Sequence, residues 1–286
     1  MKKIIIVYNP AKKQAKRERD KVMSVLEKKG RGIVKCTACL PTDKLTASHL
    51  HGVDLCIALG GDGTIINTAK KLAPAGVPVL GINLGSLGFL AEVDPGSVER
   101  AISGLIKSRF SDVEERILAS VSIRNKKYLA VNDCVVRSGA STRVILLRLI
   151  INDEFLTDYT GDGVIVSTPT GSTAYSLAAG GPIIQPSVPV FCITPICPHT
   201  LSQRPLVVHP ENRIKIHLPE YKSNKGAILS IDGQENVPLS VGDTVEINKS
   251  PHTLSLITTP GQNYYTVLRT KLGWGMPLKN QPAKNA

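Results

Sequence analysis

The sequence predicts two architectures in one chain, an α/β half followed by a mainly β half. Two observations predict this. Over the first 115 residues, short continuous apolar runs alternate with polar, helix-like stretches. Beyond Ile117, strand-like runs follow one another with turn residues between them.

Residues 4–8 are a β-branched apolar run that Pro10 closes, which reads as a first strand. Lys2 and Lys3 before it superficially suggest a secretion signal, but the apolar stretch is too short for one. Residues 12–29 place Val22, Val25 and Leu26 among polar neighbours and stop at Gly30, as a helix does. Residues 33–36 are a candidate second strand. Residues 54–59 show almost no polar alternation, as expected where both sheet faces are covered. Residues 64–72 read as a helix and 77–82 as a buried strand. Residues 97–109 read as a helix introduced by Asp94-Pro95-Gly96. This rhythm predicts a Rossmann-like parallel sheet with helices on both faces. In the second half the expected strands are 118–123, 128–131, 144–151, 163–167, 214–218, 228–231 and 244–247, with one helix near 173–179. Three units are expected: an α/β domain over 1–116, a β-rich, β-sandwich-like domain over 117–257, and a C-terminal segment over 258–286. That segment is expected to pack back on the first domain and to fray over 277–286.

Composition narrows the function classes. Apolar residues make up 42% of the 286, enough for a buried core. Aromatics are 4%, which argues against a platform that stacks single-stranded bases. The net charge is +12, with a basic stretch from Lys12 to Arg31. It reads either as an anion-attracting surface or as a solvated helix face, and Glu18, Asp20 and Glu27 within it favour the second. Cys36 and Cys39 form one C-x-x-C with no second pair or spaced histidines, so no zinc site is predicted and the six cysteines read as plain thiols. The most apolar run, 144–151, is broken by Arg148 and is too short to span a bilayer. The expectation is a cytoplasmic protein with reduced cysteines.

Three constellations carry chemistry. Gly60-Gly61-Asp62-Gly63-Thr64 follows a buried strand and opens a helix, where open α/β sheets bind ligands. The glycines leave backbone N–H groups free for phosphate oxygens, and the helix start adds a positive dipole end. Asp62 has three possible tasks there: a metal ligand, an acceptor for a hydroxyl proton, or a cap of the turn. The stretch 161–182 runs from a strand into a loop dense in hydroxyls, Thr168, Thr170, Ser172 and Thr173, before a short helix. That suits ribose and phosphate recognition, against the alternative of a Ser/Thr turn. Asn132-Asp133 offers an amide beside a carboxylate, able to read an adenine edge and a ribose diol, and is otherwise an ordinary turn.

GGDGT at 60–64, GINLGSLGFLAEV at 81–93, Asn132-Asp133, STPTGSTAY at 167–175, ITPICPHTLSQRPLVV at 193–208 and Asp232-Gly233-Gln234 occur in this order. Together they resemble the NAD kinases over roughly residues 4–275. GGDGT alone also occurs in diacylglycerol and sphingosine kinases. The resemblance implies transfer of the ATP γ-phosphoryl group to the 2′-hydroxyl of NAD's adenosine ribose, with a divalent cation such as Mg²⁺ accompanying ATP. It implies an NAD crevice between the two domains and a homodimer or homotetramer whose neighbouring subunit helps to line the site. Asp62 matches the family's catalytic aspartate, the general base. Gly60, Gly61, Gly63 and Thr64 form the phosphate-donor loop. Asn132 and Asp133 match an NAD-binding pair. Gly63, Asp162, Thr173, Ala174, Tyr175, Ser176, Leu177 and Ala178 match further NAD contacts, with Arg143 and Gln234 as additional ones. No metal-binding side chains are implied. The chain departs from the family in having Asp133 where Glu is common, Asn67 where a basic residue is frequent, and Ala178 where many members have Ser. The rival readings are a lipid kinase sharing GGDGT, a catalytically idle NAD(P)-binding sensor, and a nucleic-acid-binding protein. No apolar acyl cleft, no loss of Asp62 and no recognised nucleic-acid module supports them.

Overall fold

The computed structural model describes residues 2–85, 88–91, 93–107, 113–139, 144–221, 226–258 and 264–274. Arg143 and the tail 277–286 lie outside the described residues. Strands β1 (Lys2–Tyr8), β2 (Val34–Pro41), β3 (Leu55–Gly60) and β4 (Val79–Asn83) pair in parallel in the order β2-β1-β3-β4. Alternating side chains of each strand feed opposite faces. Ile4, Ile6, Leu55, Ile57 and Leu59 pack against helices α1 (Ala15–Lys29) and α3 (Val98–Lys107). Ile5, Val7, Cys56 and Ala58 pack against α2 (Asp62–Leu72). Every residue of β3 is buried, which accounts for its unbroken apolar sequence.

The rest of the chain adds β5 (Val113–Ile123), β6 (Lys126–Ala130), β7 (Asp133–Ser138), β8 (Ile145–Ile151), β9 (Glu154–Gly161) and β10 (Gly163–Ser167). A four-residue helix α4 (Tyr175–Ala178) follows, then β11 (Phe191–Ile196), β12 (Leu206–Val208), β13 (Ile214–His217), β14 (Ala227–Ile231), β15 (Glu235–Pro238) and β16 (Thr244–Ile257). Helix α5 (Tyr264–Leu272) comes last among the described elements. Strands β12-β11-β10-β7-β14-β15 form an antiparallel sheet. The other sheet extends the parallel one, in the order β2-β1-β3-β4-β16-β13-β8-β9, with β5 and β6 branching from β16. Between the two sheets lies a core that includes Val136, Leu147, Tyr159, Phe191 and Ile216. The second half is therefore a sandwich, as expected from its alternating strands.

The seam between the halves is β16. The sequence suggests a strand over 244–247, but β16 continues to Ile257, where Leu256 pairs in parallel with Val79 of β4. Asn248, Lys249 and Pro251 hide this continuation in the sequence, and a register shift between Lys249 and Thr253 accommodates the proline. Helix α2 starts at Asp62, two residues before the expected position, because Gly61 is its N-cap. Asn132-Asp133, readable as a turn, leads directly into β7. All six cysteines are free thiols. No helix of the described residues is long and apolar enough to cross a membrane.

Candidate active site

The GGDGT loop ends β3 and starts α2, at the carboxyl edge of the parallel sheet. Gly60 is required there by close approach, since a Cβ on it would lie 2.3 Å from the Thr64 hydroxyl oxygen. Asp62 makes no cap hydrogen bond to its own helix. Its carboxylate instead accepts three backbone N–H bonds from the segment after β4. Phe89 donates to Oδ2 at 2.8 Å, and Leu90 and Ala91 donate to Oδ1 at 3.1 and 3.3 Å. A Cβ on Gly88 would sit 1.9 Å from Oδ1, so the preceding backbone also closes on the carboxylate. An ionised carboxylate offers about four acceptor directions. Three are used, and the one left, on Oδ2, suits a single hydroxyl.

Facing Asp62's loop is the turn between β14 and β15. Asp232 lies there at φ 50°, with a fully buried side chain. Its Oδ1 accepts the N–H groups of Val131, Asn132 and Asp133 at 3.1, 2.7 and 3.1 Å. Its Oδ2 pairs at 2.8 Å with the ammonium of Lys70 on α2. Gln234, on the same turn, donates through Nε2 to the carbonyl of Gly63 at 3.2 Å. One turn thus joins the phosphate loop's helix to the Asn132-Asp133 pair.

Asp133 is itself buried beside this group. Burial first, and then the charge of Asp232, raise its carboxyl to about 7, while Lys70 pulls it down. The hydroxyl-rich loop packs directly below. Thr168 accepts from Gly171 N–H at 3.2 Å and donates to the Val131 carbonyl at 2.6 Å, and its N–H reaches the Asn132 carbonyl at 2.8 Å. A Cβ on Gly171 would lie 2.0 Å from that same carbonyl. The hydroxyls here largely serve the fold. Ser172 binds the Pro169 carbonyl at 2.7 Å, Thr173 the Thr170 carbonyl at 3.3 Å, and Ser176 the Thr194 hydroxyl at 2.8 Å. Thr173, Ala174, Tyr175, Leu177 and Ala178 keep exposed surface, whereas Ser176 is buried.

A cavity of about 840 Å³ opens beside the GGDGT loop. Its walls include Asn9, Lys12, Asp43, Gly61, Gly63, Thr64, Asn67, Lys71 and Gln234. The structure therefore brings together Gly60–Thr64, Asn132, Asp133 and Gln234. Asp162 does not join them. It lies at the opposite end of β10 from the hydroxyl loop, roughly 16 Å away at about 3.3 Å per residue, where the Cys197 thiol donates to it. Sequence reasoning missed Phe89, Lys70, Asp232 and Lys12 as site residues. Phe89 and Asp232 lie within quoted motifs, but their contacts span loops distant in sequence. Among the described residues there is no cluster of three or more His, Cys, Asp or Glu poised for a metal.

The raised Asp133 carboxyl gives a signed prediction. Below pH 7 the buried carboxyl is protonated, and above it the carboxylate can accept ribose hydroxyls. Stability that the neutral form provides is fully present below the unfolded value of 3.8 and is lost as pH rises through about 7. A nucleoside ligand bound through that carboxylate should show a Michaelis constant that falls several-fold between pH 6 and 8. Asp133→Asn should flatten that dependence and should be more stable relative to the parent at pH 8 than at pH 5, read by thermal unfolding.

Comparison with known proteins identifies the family. A model of the ATP-NAD kinase N-terminal domain matches residues 40–110, and one of the ATP-NAD kinase C-terminal domain matches residues 131–259. The NAD kinase of Ruminiclostridium cellulolyticum is 37% identical over 286 residues, covering 95% of this chain and 98% of that one. The NAD kinase of Syntrophotalea carbinolica is 43% identical over 227 residues, 78% of this chain and 79% of that one. Among solved structures, yeast NADH kinase complexed with NADH superposes with a TM-score of 0.84 at 26% identity, covering 98% of this chain and 90% of that one. An NAD kinase from Archaeoglobus fulgidus in complex with ATP gives 0.76 at 26% identity, covering 95% and 97%. With both the N-terminal and the C-terminal domain of the family matched, and a relative 37% identical over nearly the whole chain, the chain belongs to the NAD kinase family of phosphotransferases.

Proposed function

We propose that Asp62 stands at the reacting hydroxyl when this kinase transfers the γ-phosphoryl group of ATP to the 2′-hydroxyl of NAD's adenosine ribose. The observation that carries this reading is the amide cradle of Asp62. Three N–H groups fix both oxygens and leave one lone pair of Oδ2 for one hydroxyl. The phosphoryl-transfer transition state is loose, so the proton leaves late and orientation carries most of the rate. As the new O–P bond forms and the β–γ bridging bond breaks, the 2′-hydroxyl proton passes to Asp62 and the leaving oxygen departs with ADP. The N–H groups of Gly61 and Gly63 and the start of α2 would line the donor side and stabilise the phosphate charge, while the Thr64 N–H is held by the Gly61 carbonyl at 2.9 Å.

NAD binding is assigned to Gly63, Asn132, Asp133, Thr173, Ala174, Tyr175, Leu177, Ala178 and Gln234 around the same crevice. Ser176 acts through its bond to Thr194. A divalent cation such as Mg²⁺ would enter with ATP. The fit is to hard oxygen donors, with Asp43 as the carboxylate on the cavity wall, and Mg²⁺ commonly needs only one or two carboxylates besides phosphates and water. It would supply charge neutralisation of the phosphates. The domain division at 116 and 257 is also proposed. The packing of Tyr264 on Phe89, with ring centroids 6.4 Å apart, favours a C-terminal segment folded back on the first domain. A cytoplasmic location is proposed on the free thiols, which suit a reducing compartment.

A homo-oligomer completes this reading. Asp162 lies at the far end of β10, roughly 16 Å from the hydroxyl loop at about 3.3 Å per residue, which favours a second copy of the chain as what brings it to an NAD. A patch beside it supports association. Leu201 is 88% exposed, with Leu156 and Val207 also exposed, and Gln203 and His199 tie their segment to β9 at Thr157 and Thr160.

Two measurements test the proposal. Purified protein with Mg²⁺, ATP and NAD should form NADP. Asp62→Asn should lower turnover by at least about 10³-fold with NAD binding retained within several-fold, and near-normal turnover would show that Asp62 is not at the hydroxyl. Sedimentation should show a dimer or larger assembly that Leu156→Asp with Leu201→Asp dissociates, and a monomeric parent protein would remove the second-copy role for Asp162.

A further inference from the structure

We propose that Lys12 is a ligand of the donor's phosphate chain, binding it from the wall of the cavity opposite the GGDGT loop. The inference rests on the kinase reading above and adds a residue and a recognition chemistry to it.

The backbone is built to hold Lys12 in place. At the end of β1, Asn9 donates its N–H to the Leu59 carbonyl at 3.2 Å, which ties it to β3 just before the phosphate loop. The Asn9 side-chain oxygen accepts the Ala11 N–H at 3.0 Å, and its carbonyl accepts the Lys12 N–H at 3.1 Å. Such an Asx turn, with Pro10 fixing φ inside it, is a rigid connection. The Lys12 carbonyl then accepts the Ala15 N–H at 2.9 Å, so the residue is held on both sides. Lys12 thus stands where the carboxyl ends of β1 and β3 meet. Its Nζ reaches across toward the end of β4, to 4.0 Å from where a Cβ on Gly85 would be.

Charge distinguishes Lys12 from its neighbours. The basic stretch mostly decorates α1. Arg17 and Lys21 face Glu18, Arg19 binds Asp20, and Lys29 pairs with Glu99. Lys13 and Lys16 do not line the cavity. The cavity's other lysine, Lys71, is committed to the carbonyls of Thr42 and Leu45 at 3.3 and 3.0 Å. Lys12 lines the cavity and has no carboxylate oxygen within 4.0 Å among the described residues. Asn67, on the α2 face of the same cavity, is neutral. An uncommitted ammonium facing a helix start and a glycine loop is the arrangement that captures phosphate oxygens as a point charge. Because the contact is to phosphate, it should be indifferent to the base.

The test is steady-state kinetics with the full chain carrying Lys12→Met, with Lys12→Arg and Lys13→Met alongside. Lys12→Met should raise the Michaelis constant for ATP at least tenfold, lower turnover by a smaller factor, and leave the constant for NAD within twofold. Lys12→Arg should recover most of the loss, and Lys13→Met should match the parent. Inorganic tripolyphosphate, used as a competitor, should weaken by the same factor as ATP. An ATP constant within twofold of the parent would overturn the proposal. So would an unchanged tripolyphosphate affinity beside a weakened ATP, since Lys12 would then touch the nucleoside. Should the parent make no NADP, the kinase reading fails, and calorimetric binding of tripolyphosphate to the parent and to Lys12→Met still decides the role of Lys12.

Discussion

The site depends on one buried carboxylate. Asp232 accepts three successive N–H bonds and an ammonium, and by doing so it fixes the chain between β6 and β7, the β14–β15 turn and helix α2 against one another. A carboxylate removed from water is costly unless its lone pairs and its charge are matched, and here both are. Lys70 pairs with both Asp232 and Glu235, at 2.8 and 3.2 Å. Asp133 is buried beside this group, and burial first, then the charge of Asp232, hold its proton to about 7. The charge at the centre of this brace is thus one of the two causes that raise Asp133.

Asp62 uses the same principle on the other side of the crevice. Its cradle comes from backbone N–H groups of residues 89–91 rather than from a cation. Backbone donors cannot be moved by a rotamer change, so the carboxylate is oriented before any substrate arrives. Phe89 links this cradle to α5, because its ring contacts Tyr264 and lies 4.7 Å below the ammonium of Lys271. The two carboxylates are thus held differently: Asp133 by burial beside Asp232, and Asp62 by fixed backbone donors.

Much of this was legible in the sequence, for physical reasons. Strand β3 and strand β10 are buried on both faces, and their unbroken apolar runs say so. The glycines of GGDGT are demanded by close approach at Gly60, which makes the motif informative. Other features were hidden. Strand β11 contains Pro195, a residue that argues against a strand, yet it pairs with Val164. Lys70 reads as one more surface lysine on α2, since its partner lies 162 residues away and only the tertiary fold brings them together. The hydroxyls of 168–176 looked like ligand donors because composition does not reveal which of them already have partners inside the fold.

The central claim is that Lys70 and Asp232 act as one device holding both substrate sites. A double-mutant cycle with Lys70→Met and Asp232→Asn, read as kcat/KM for NAD and for ATP, tests it most directly. Each single change should cost about tenfold or more with both substrates, and the double should be no worse than the worse single, a coupling of at least about 1.4 kcal/mol. Losses that multiply in the double variant would mean that the two residues act independently, and the brace would not be what holds the site.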